Sequence, residues 1–231
     1  MMEKTWGIVG IGRLGKAILT QCEQPTGIYH PDTAKAETVS KDYSHAETMG
    51  KKDLTQLDYL ILALPAKQII PFIHECESEG YPLNKAVLLN VATTMPTAQL
   101  NEAFPHLTFI GMKFVGHSEN LMSNGNGLFV TDQKVIDKKE YENILHRFSQ
   151  LGQVVADDES TVEEVNKMAT YYAVKAAKDL EEKMTEQGFP EIYRKHCLRS
   201  ILPEVIRVYS KGNIGQFVQE IVDELENERN N

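Results

Sequence analysis

The chain has 231 residues, of which 42% are hydrophobic and 25% are charged, a composition typical of globular proteins. Its formal net charge of −9 argues against nucleic acid and anionic membrane surfaces as partners. We expect a cytoplasmic protein, because no apolar run reaches the roughly 18 residues of a membrane span and no secretory leader pattern precedes the first predicted strand.

The N-terminal segment places a glycine motif between an apolar run and a helical pattern. Residues 5–9 read as a strand, residues 10–15 match G-x-G-x-x-G, and residues 14–22 read as a helix. In dinucleotide-binding folds the first glycine allows the tight turn, the second lets a pyrophosphate approach the backbone, and the third lets the helix pack closely. The alternative is a glycine-rich turn with a structural role only. We predict pyrophosphate binding by Gly10, Ile11, Gly12, Arg13, Leu14 and Gly15.

Up to residue 156, β-like apolar runs alternate with helix-like segments, which predicts a mostly parallel sheet covered by helices. Further strands are predicted over 27–30, 58–64, 86–91, 107–114, 128–131 and 153–156, and helices over 33–39, 69–79, 97–104 and 138–151. After Asp58, the run up to Leu64 is continuously apolar, so we expect a central strand that is buried on both faces. We predict that residues 1–156 form a doubly wound Rossmann domain of the α/β class.

The pattern changes after residue 156, where a short acidic stretch leads into a long helical repeat. Apolar residues recur at helical spacing from Val162 to Met184, which predicts a helix of about 25 residues. Two more helical segments are predicted over 191–210 and 216–227. We predict that residues 157–231 form a small all-helical domain. Because so small a domain buries little of its alanine-rich apolar stripe alone, we expect a homodimer through these helices.

The carboxyl ends of the strands are where ligands bind to open α/β sheets. His30 stands at the end of the second strand, where an Asp or Glu would bind a ribose 2′-hydroxyl, and Lys35 follows nearby. The missing acid favours NADP, with NAD as the alternative. Asp32 either caps the next helix or contacts the ribose. We predict that the nicotinamide half of the cofactor lies against Leu64, Pro65, Ala66 and Val91.

Three residues are candidates for catalysis. Lys113 and His117 lie at the carboxyl end of the strand over 107–114, where either could bind a substrate carboxylate or carbonyl, and His117 could donate a proton near neutral pH. Lys167 lies on the long helix, one turn before Tyr171 on the same face. The alternatives are a solvated histidine and a surface lysine. For residues 123–127 we predict either a flexible turn that closes over a ligand or a hairpin. The three cysteines lack metal-ligand spacing, so we predict no metal site.

Several stretches resemble pyrroline-5-carboxylate reductases and the wider 6-phosphogluconate dehydrogenase-like superfamily: G-I-G-R-L-G, D-Y-L-I-L-A-L-P, L-L-N-V-A-T-T and D-D-E-S-T-V. The stretch I-G-M-K-F-V-G-H-S-E resembles a loop of prephenate dehydrogenases. The resemblance implies hydride transfer from NAD(P)H to a substrate bound between a Rossmann domain and the helices of a dimer. It also implies that Lys167 matches a lysine that several relatives place at the active site.

The helical domain departs from that family in one motif. Pyrroline-5-carboxylate reductases carry T-x-x-S-G-S-G-P-A where this domain binds substrate, whereas residues 169–174 here include Tyr171 and Tyr172. We therefore predict a divergent NAD(P)-dependent oxidoreductase that acts on a small imine or carbonyl compound. The alternative is a catalytically silent regulatory protein that binds a dinucleotide.

Overall fold

The computed structural model describes residues 4–132 and 138–230 of the chain. Two compact units meet in sequence between Lys167 and Met168, inside a long helix. The domain boundary predicted at residue 156 lies upstream of that point, at the end of a strand, and stays a prediction. No helix in the described ranges is long and apolar enough to cross a bilayer.

The first unit contains a parallel sheet of six strands with intervening helices. The strands are β1 (Trp6–Val9), β2 (Thr26–Tyr29), β3 (Ala46–Thr48), β4 (Tyr59–Leu62), β5 (Val87–Asn90) and β6 (Thr108–Gly111). The helices are α1 (Arg13–Gln21), α2 (Thr33–Asp42), α3 (Lys51–Leu54), α4 (Ala66–Ser78) and α5 (Thr97–Ala103). The spatial order β3-β2-β1-β4-β5-β6 puts the reversal of strand order between β1 and β4.

Both faces of this sheet are buried, as the apolar run over 58–64 predicts. On β4, Ile61 belongs to one cluster of buried side chains, and Leu60 and Leu62 belong to another. Because successive side chains of a strand point to opposite faces, the two clusters lie on the two sides of the sheet. The doubly wound fold is thereby confirmed.

A second, three-stranded sheet follows within the first unit. Its elements are β7 (Lys113–Val115), α6 (Ser118–Asn124), β8 (Gly127–Thr131), α7 (Lys138–Phe148) and β9 (Gly152–Ala156). β8 lies in the middle, antiparallel to β7 and parallel to β9. The single strand predicted over 107–114 is therefore wrong: the chain leaves the six-stranded sheet after Gly111 and enters the other sheet at Lys113.

The predicted flexible turn over 123–127 is also different in the structure. Ser123 and Asn124 end α6, and Gly125 and Asn126 then adopt positive φ angles of 63° and 54° before β8 begins. The Gln21 side chain donates a hydrogen bond to the carbonyl of Met122 at 2.8 Å. This contact holds α6 against α1, so the segment is neither a hairpin nor a free loop.

The C-terminal region is all helical, as predicted. It consists of α8 (Ser160–Glu186), α9 (Glu191–His196), a π-helical turn (Cys197–Ile201), α10 (Leu202–Ser210) and α11 (Gln216–Asn230). The single helix predicted over 191–210 is thus interrupted by the π-helical turn. α9 begins directly after Pro190, just as α4 begins after Pro65, since a helix start does not need the N–H that proline lacks.

Candidate functional site

The turn between β1 and α1 needs glycine at two of its three motif positions. Gly10 has φ of +94°, and a Cβ there would lie 2.5 Å from the carbonyl oxygen of Ala63 on the neighbouring segment. A Cβ on Gly15 would lie 2.0 Å from the carbonyl oxygen of Gly10. These two glycines therefore allow the tight turn and the close packing of α1 on β1.

Gly12 differs from both, because a Cβ at this position would meet no atom within 4 Å. It is the N-cap of α1, and the first N–H bonded back to it is that of Lys16, at 3.0 Å from the Gly12 carbonyl. The N–H groups of Arg13, Leu14 and Gly15 precede that bond and point out of the helix start. A helix N-terminus with open space in front of it is suited to a phosphate group.

The end of β2 carries two basic side chains. The half-buried His30 accepts a hydrogen bond at Nδ1 from the N–H of Asp32, at 3.0 Å, so a neutral ring carries its proton on Nε2. That Nε2 lies 3.5 Å from Nζ of Lys35. Because both groups are then donors, they cannot satisfy each other, and one acceptor beside them, such as a phosphate oxygen, can accept from both.

Asp32 caps α2. Its Oδ1 accepts a hydrogen bond from the N–H of Lys35 at 3.1 Å. Of the two interpretations of Asp32 in the sequence, the structure shows the capping contact. No acidic side chain follows β2 before this cap.

The residues predicted for the nicotinamide half lie along the same edge of the sheet. Pro65 and Ala66 are the N-cap and first residue of α4, and Leu64 precedes them, half-buried. Val91 follows β5 with its side chain in the core. β1, β4 and β5 are neighbours in the sheet, so these carboxyl ends stand side by side. Val91 is 1% exposed and so presents almost no surface to a ligand, whereas Ala92 directly after it is half-buried.

Lys113 is placed differently from the other candidates for catalysis. Its side chain is 1% exposed, and Nζ donates hydrogen bonds to the carbonyl oxygens of Ala92 and Met95, both at 2.7 Å. Burial lowers the pKa of Lys113 to about 8, an effect that outweighs the opposing charge of Glu159, whose Oε2 lies 3.6 Å from Nζ. The ammonium group is thus engaged by the protein's own backbone carbonyls, and a role of Lys113 toward a substrate stays a prediction.

His117 and Lys167 are both exposed. His117 is the N-cap of α6, and Lys167 lies on α8. The structure relates them through Asn166, which donates from Nδ2 to the carbonyl of Phe114 at 2.9 Å and accepts at Oδ1 from the N–H of Gly116 at 3.1 Å. The segments that carry His117 and Lys167 are therefore held together.

Four residues of this edge were not singled out by the sequence reasoning: Asn90, Thr97, Glu159 and Asn166. Asn90 is fully buried, and as a polar residue at the end of an apolar strand it had a recognisable signal. The other three act through contacts with distant parts of the chain, which sequence spacing does not reveal. Among residues 4–132 and 138–230, no group of three or more His, Cys, Asp or Glu side chains is placed to hold a metal ion.

Comparison by sequence finds no matching family model and no matching curated protein. Solved structures do match. A pyrroline-5-carboxylate reductase from Coxiella burnetii superposes with a TM-score of 0.72 at 12% identity, over 98% of this chain and 91% of that one. A pyrroline carboxylate reductase from Plasmodium falciparum with NADP bound gives 0.65 at 12% identity, over 97% and 84%.

A reductive aminase from Aspergillus terreus, in complex with NADPH and ethyl-5-oxohexanoate, matches with a TM-score of 0.66 at 14% identity, over 96% of this chain and 79% of that one. The structural similarity thus includes a reductive aminase as well as pyrroline-5-carboxylate reductases. It confirms, at the level of the fold, the resemblance that the sequence motifs indicate. The chain has the two-part fold of pyrroline-5-carboxylate reductases and related imine-reducing enzymes, in a divergent sequence.

Proposed function

We propose that this protein is an NADP-dependent oxidoreductase that transfers hydride to a small imine or carbonyl compound. The observation that carries the proposal is the turn at Gly12, which lies at a helix N-terminus with open space in front of it. At Gly10 and Gly15, by contrast, protein backbone atoms occupy the space that a side chain would need. The fold supports it, because similar structures include reductases in complex with NADP or NADPH.

The preference for NADP is supported by the end of β2. His30 and Lys35 present two donors to one point, and Asp32 is engaged in capping α2. A 2′-phosphate supplies the acceptor that these donors lack, whereas a 2′-hydroxyl is bound by an acid that is not found at this position. NAD is the alternative cofactor.

The cofactor supplies the hydride chemistry when bound, and the chain binds and orients it. Gly10 to Gly15 would hold the pyrophosphate, and Leu64, Pro65, Ala66 and the loop that begins at Val91 would line the nicotinamide half. We assign substrate binding or proton donation to Lys167 and His117, which are exposed on segments joined by Asn166. The substrate is a small molecule of the imine or carbonyl class.

Titration with NADPH and NADH tests this proposal. We expect Gly12→Val to weaken NADPH binding about tenfold or more, because the side chain fills the space for the pyrophosphate. Its melting temperature should stay close to that of the wild type, since a Cβ at this exposed position meets no protein atom within 4 Å. His30→Ala and Lys35→Ala should weaken NADPH and leave NADH unchanged. Failure of the wild type to bind either nucleotide at millimolar concentration would overturn the proposal.

Oxidation of NADPH in the presence of small imino and keto acids then separates an enzyme from the regulatory alternative. Lys167→Ala and His117→Ala should each lower turnover while nucleotide binding persists. If neither substitution changes turnover, Lys167 and His117 do not take part in the reaction. If the wild type binds nucleotide but shows no turnover, the regulatory alternative is favoured.

We also propose that the protein forms a homodimer through the C-terminal helices. Their large apolar side chains are widely exposed, and Phe217 on α11 is 74% exposed. Others stand on α8, α9 and α10: Tyr171, Tyr172, Ile192, Tyr193, Val205, Ile206 and Tyr209. So much exposed apolar surface is typical of an interface between proteins.

A further inference from the structure

The loop that joins β5 to α5, residues 91–96, is held by two buried polar side chains. Asn90 accepts at Oδ1 from the N–H of Ala92 at 3.1 Å and donates from Nδ2 to the carbonyl of Met95 at 2.8 Å. Lys113 donates to the carbonyls of the same two residues, both at 2.7 Å. Because buried polar contacts are costly to break, they hold the backbone of this loop at Ala92 and Met95.

Glu159, which lies directly before α8, reaches the other end of this loop. Its Oε1 accepts from the N–H of Thr97, the first residue of α5, at 2.5 Å, and its Oε2 accepts from Oγ1 of Thr97 at 2.7 Å. The same Oε2 lies 3.6 Å from Nζ of Lys113. One carboxylate therefore contacts both the end of the loop and the lysine that holds its middle.

Gly111 provides the space for this carboxylate. A Cβ on Gly111 would lie 2.1 Å from Oε2 of Glu159 and 3.0 Å from Oγ1 of Thr97. Residue 111 therefore has to lack a side chain if Glu159 is to reach Thr97. The contact depends on residues from β6, α5 and the start of α8, far apart in sequence.

We propose that Glu159 is a positioning residue, which acts through Thr97 and Lys113 to set the β5–α5 loop and with it the nicotinamide half of the cofactor. The inference rests on the proposed function. In a doubly wound sheet each half binds one mononucleotide, and the half made of β4, β5 and β6 faces the second. The loop that follows β5 there begins at the buried Val91 and continues through the half-buried Ala92 and Thr93, so the position of the loop backbone decides the fit.

The experiment compares two probes, NADPH and 2′,5′-ADP, which has the 2′-phosphate and the adenosine but no nicotinamide. Glu159→Gln keeps one acceptor oxygen, replaces the other with an NH2 donor, and removes the negative charge beside Lys113. We expect NADPH affinity to fall about tenfold, while 2′,5′-ADP affinity remains within a factor of about two of the wild type. A general loss of structure would weaken both probes equally.

Matched variants complete the test. Glu163→Gln, an exposed change in the first turn of α8, should leave both affinities unchanged. Thr97→Val should reproduce the effect of Glu159→Gln, whereas Thr97→Ser keeps the hydroxyl and should retain wild-type binding. Equal weakening of both probes by Glu159→Gln, or no change in either, would overturn the inference.

A measurement without nucleotide separates this inference from the proposed function. In the free protein, hydrogen exchange at the amides of residues 91–97 should be faster in Glu159→Gln than in the wild type and in Glu163→Gln. If the exchange rates are unchanged, Glu159 does not hold the β5–α5 loop. A wild type that binds neither probe, but whose loop amides respond to Glu159→Gln, would overturn the proposed function and the cofactor part of this inference, while confirming that Glu159 holds the loop.

Discussion

The two units of the chain differ most in what they bury. In the first unit, two clusters of buried side chains cover the two faces of the six-stranded sheet. Among residues 168–229, by contrast, no residue is buried, although many are large and apolar. Because burial of apolar surface is the main driving force for folding, the first unit contains the source of its own stability. The second unit exposes the surface that a core would hide.

The largest expected effect contrasts a buried with an exposed apolar residue. Leu60→Ala in β4 removes a fully buried side chain and should lower the free energy of unfolding by about 2–5 kcal/mol. Phe217→Ala in α11 should instead raise the dissociation constant of the proposed dimer about tenfold or more. Urea unfolding measures the first change, and sedimentation across protein concentrations measures the second.

Two outcomes would break this contrast. A wild type that sediments as a monomer at all concentrations would show that a second copy does not cover the helices. A dimer whose dissociation constant Phe217→Ala leaves unchanged would place the interface elsewhere. Leu60→Ala is the matched control, since it should leave the dissociation constant as it is.

A smaller effect is expected from a buried charged group, Lys113, when it is compared with an exposed one. Burial lowers the pKa of Lys113 to about 8 from its usual 10.5, so between these pH values the unfolded chain binds a proton that the folded protein has released. The free energy of unfolding therefore rises with pH in that window, and it does so by roughly 1 kcal/mol between pH 8 and pH 9. Below pH 8 both states are protonated, and the contribution is constant.

Urea unfolding of the wild type and Lys113→Met at pH 7, 8 and 9 measures this difference. The wild type should gain stability relative to the variant as the pH rises. Lys175→Met in α8 is the control, since Lys175 is exposed beside Asp179 and solvent screens its charge. A wild type whose stability relative to Lys113→Met stays constant or falls as the pH rises would contradict the lowered pKa.

The smallest expected effect concerns the surface of the first unit. Asp32→Ala removes the carboxylate that accepts from the N–H of Lys35 and should cost about 1 kcal/mol in the free energy of unfolding. Asp32→Asn keeps an acceptor, so its stability should stay within a few tenths of a kcal/mol of the wild type. Urea unfolding of both variants measures the cap. An equal loss in both would attribute the effect to charge rather than to the hydrogen bond.

Patterns that are local in sequence predicted most of the fold. The glycine motif and the unbroken apolar run over 58–64 identified β1, α1 and β4, because the first demands a tight turn and the second demands burial on two faces. β3 and α6 were missed. β3 has only three residues, and α6 lies in a polar stretch whose helical conformation depends on packing against α1.

The candidate site was predictable where a residue acts through its own backbone or chain neighbours. Gly10, Gly12 and Gly15 are of this kind, and so is Asp32. Lys113 was singled out as a polar residue after a strand, but its role depends on Ala92, Met95 and Glu159, which lie far away in sequence. The break at Met112 is of the same kind, since strand-forming residues continue on both sides of it and only the pairing partners distinguish the two sheets.

The π-helical turn at Cys197–Ile201 has a consequence for the surface of the second unit. Its hydrogen-bonded rings span one residue more than those of an α-helix. Each residue turns a helix by about 100° and advances it by about 1.5 Å. The turn therefore sets the rotational phase between α9 and α10, which carry Ile192 and Ile206, and a deletion of one residue there would turn one apolar face away from the other.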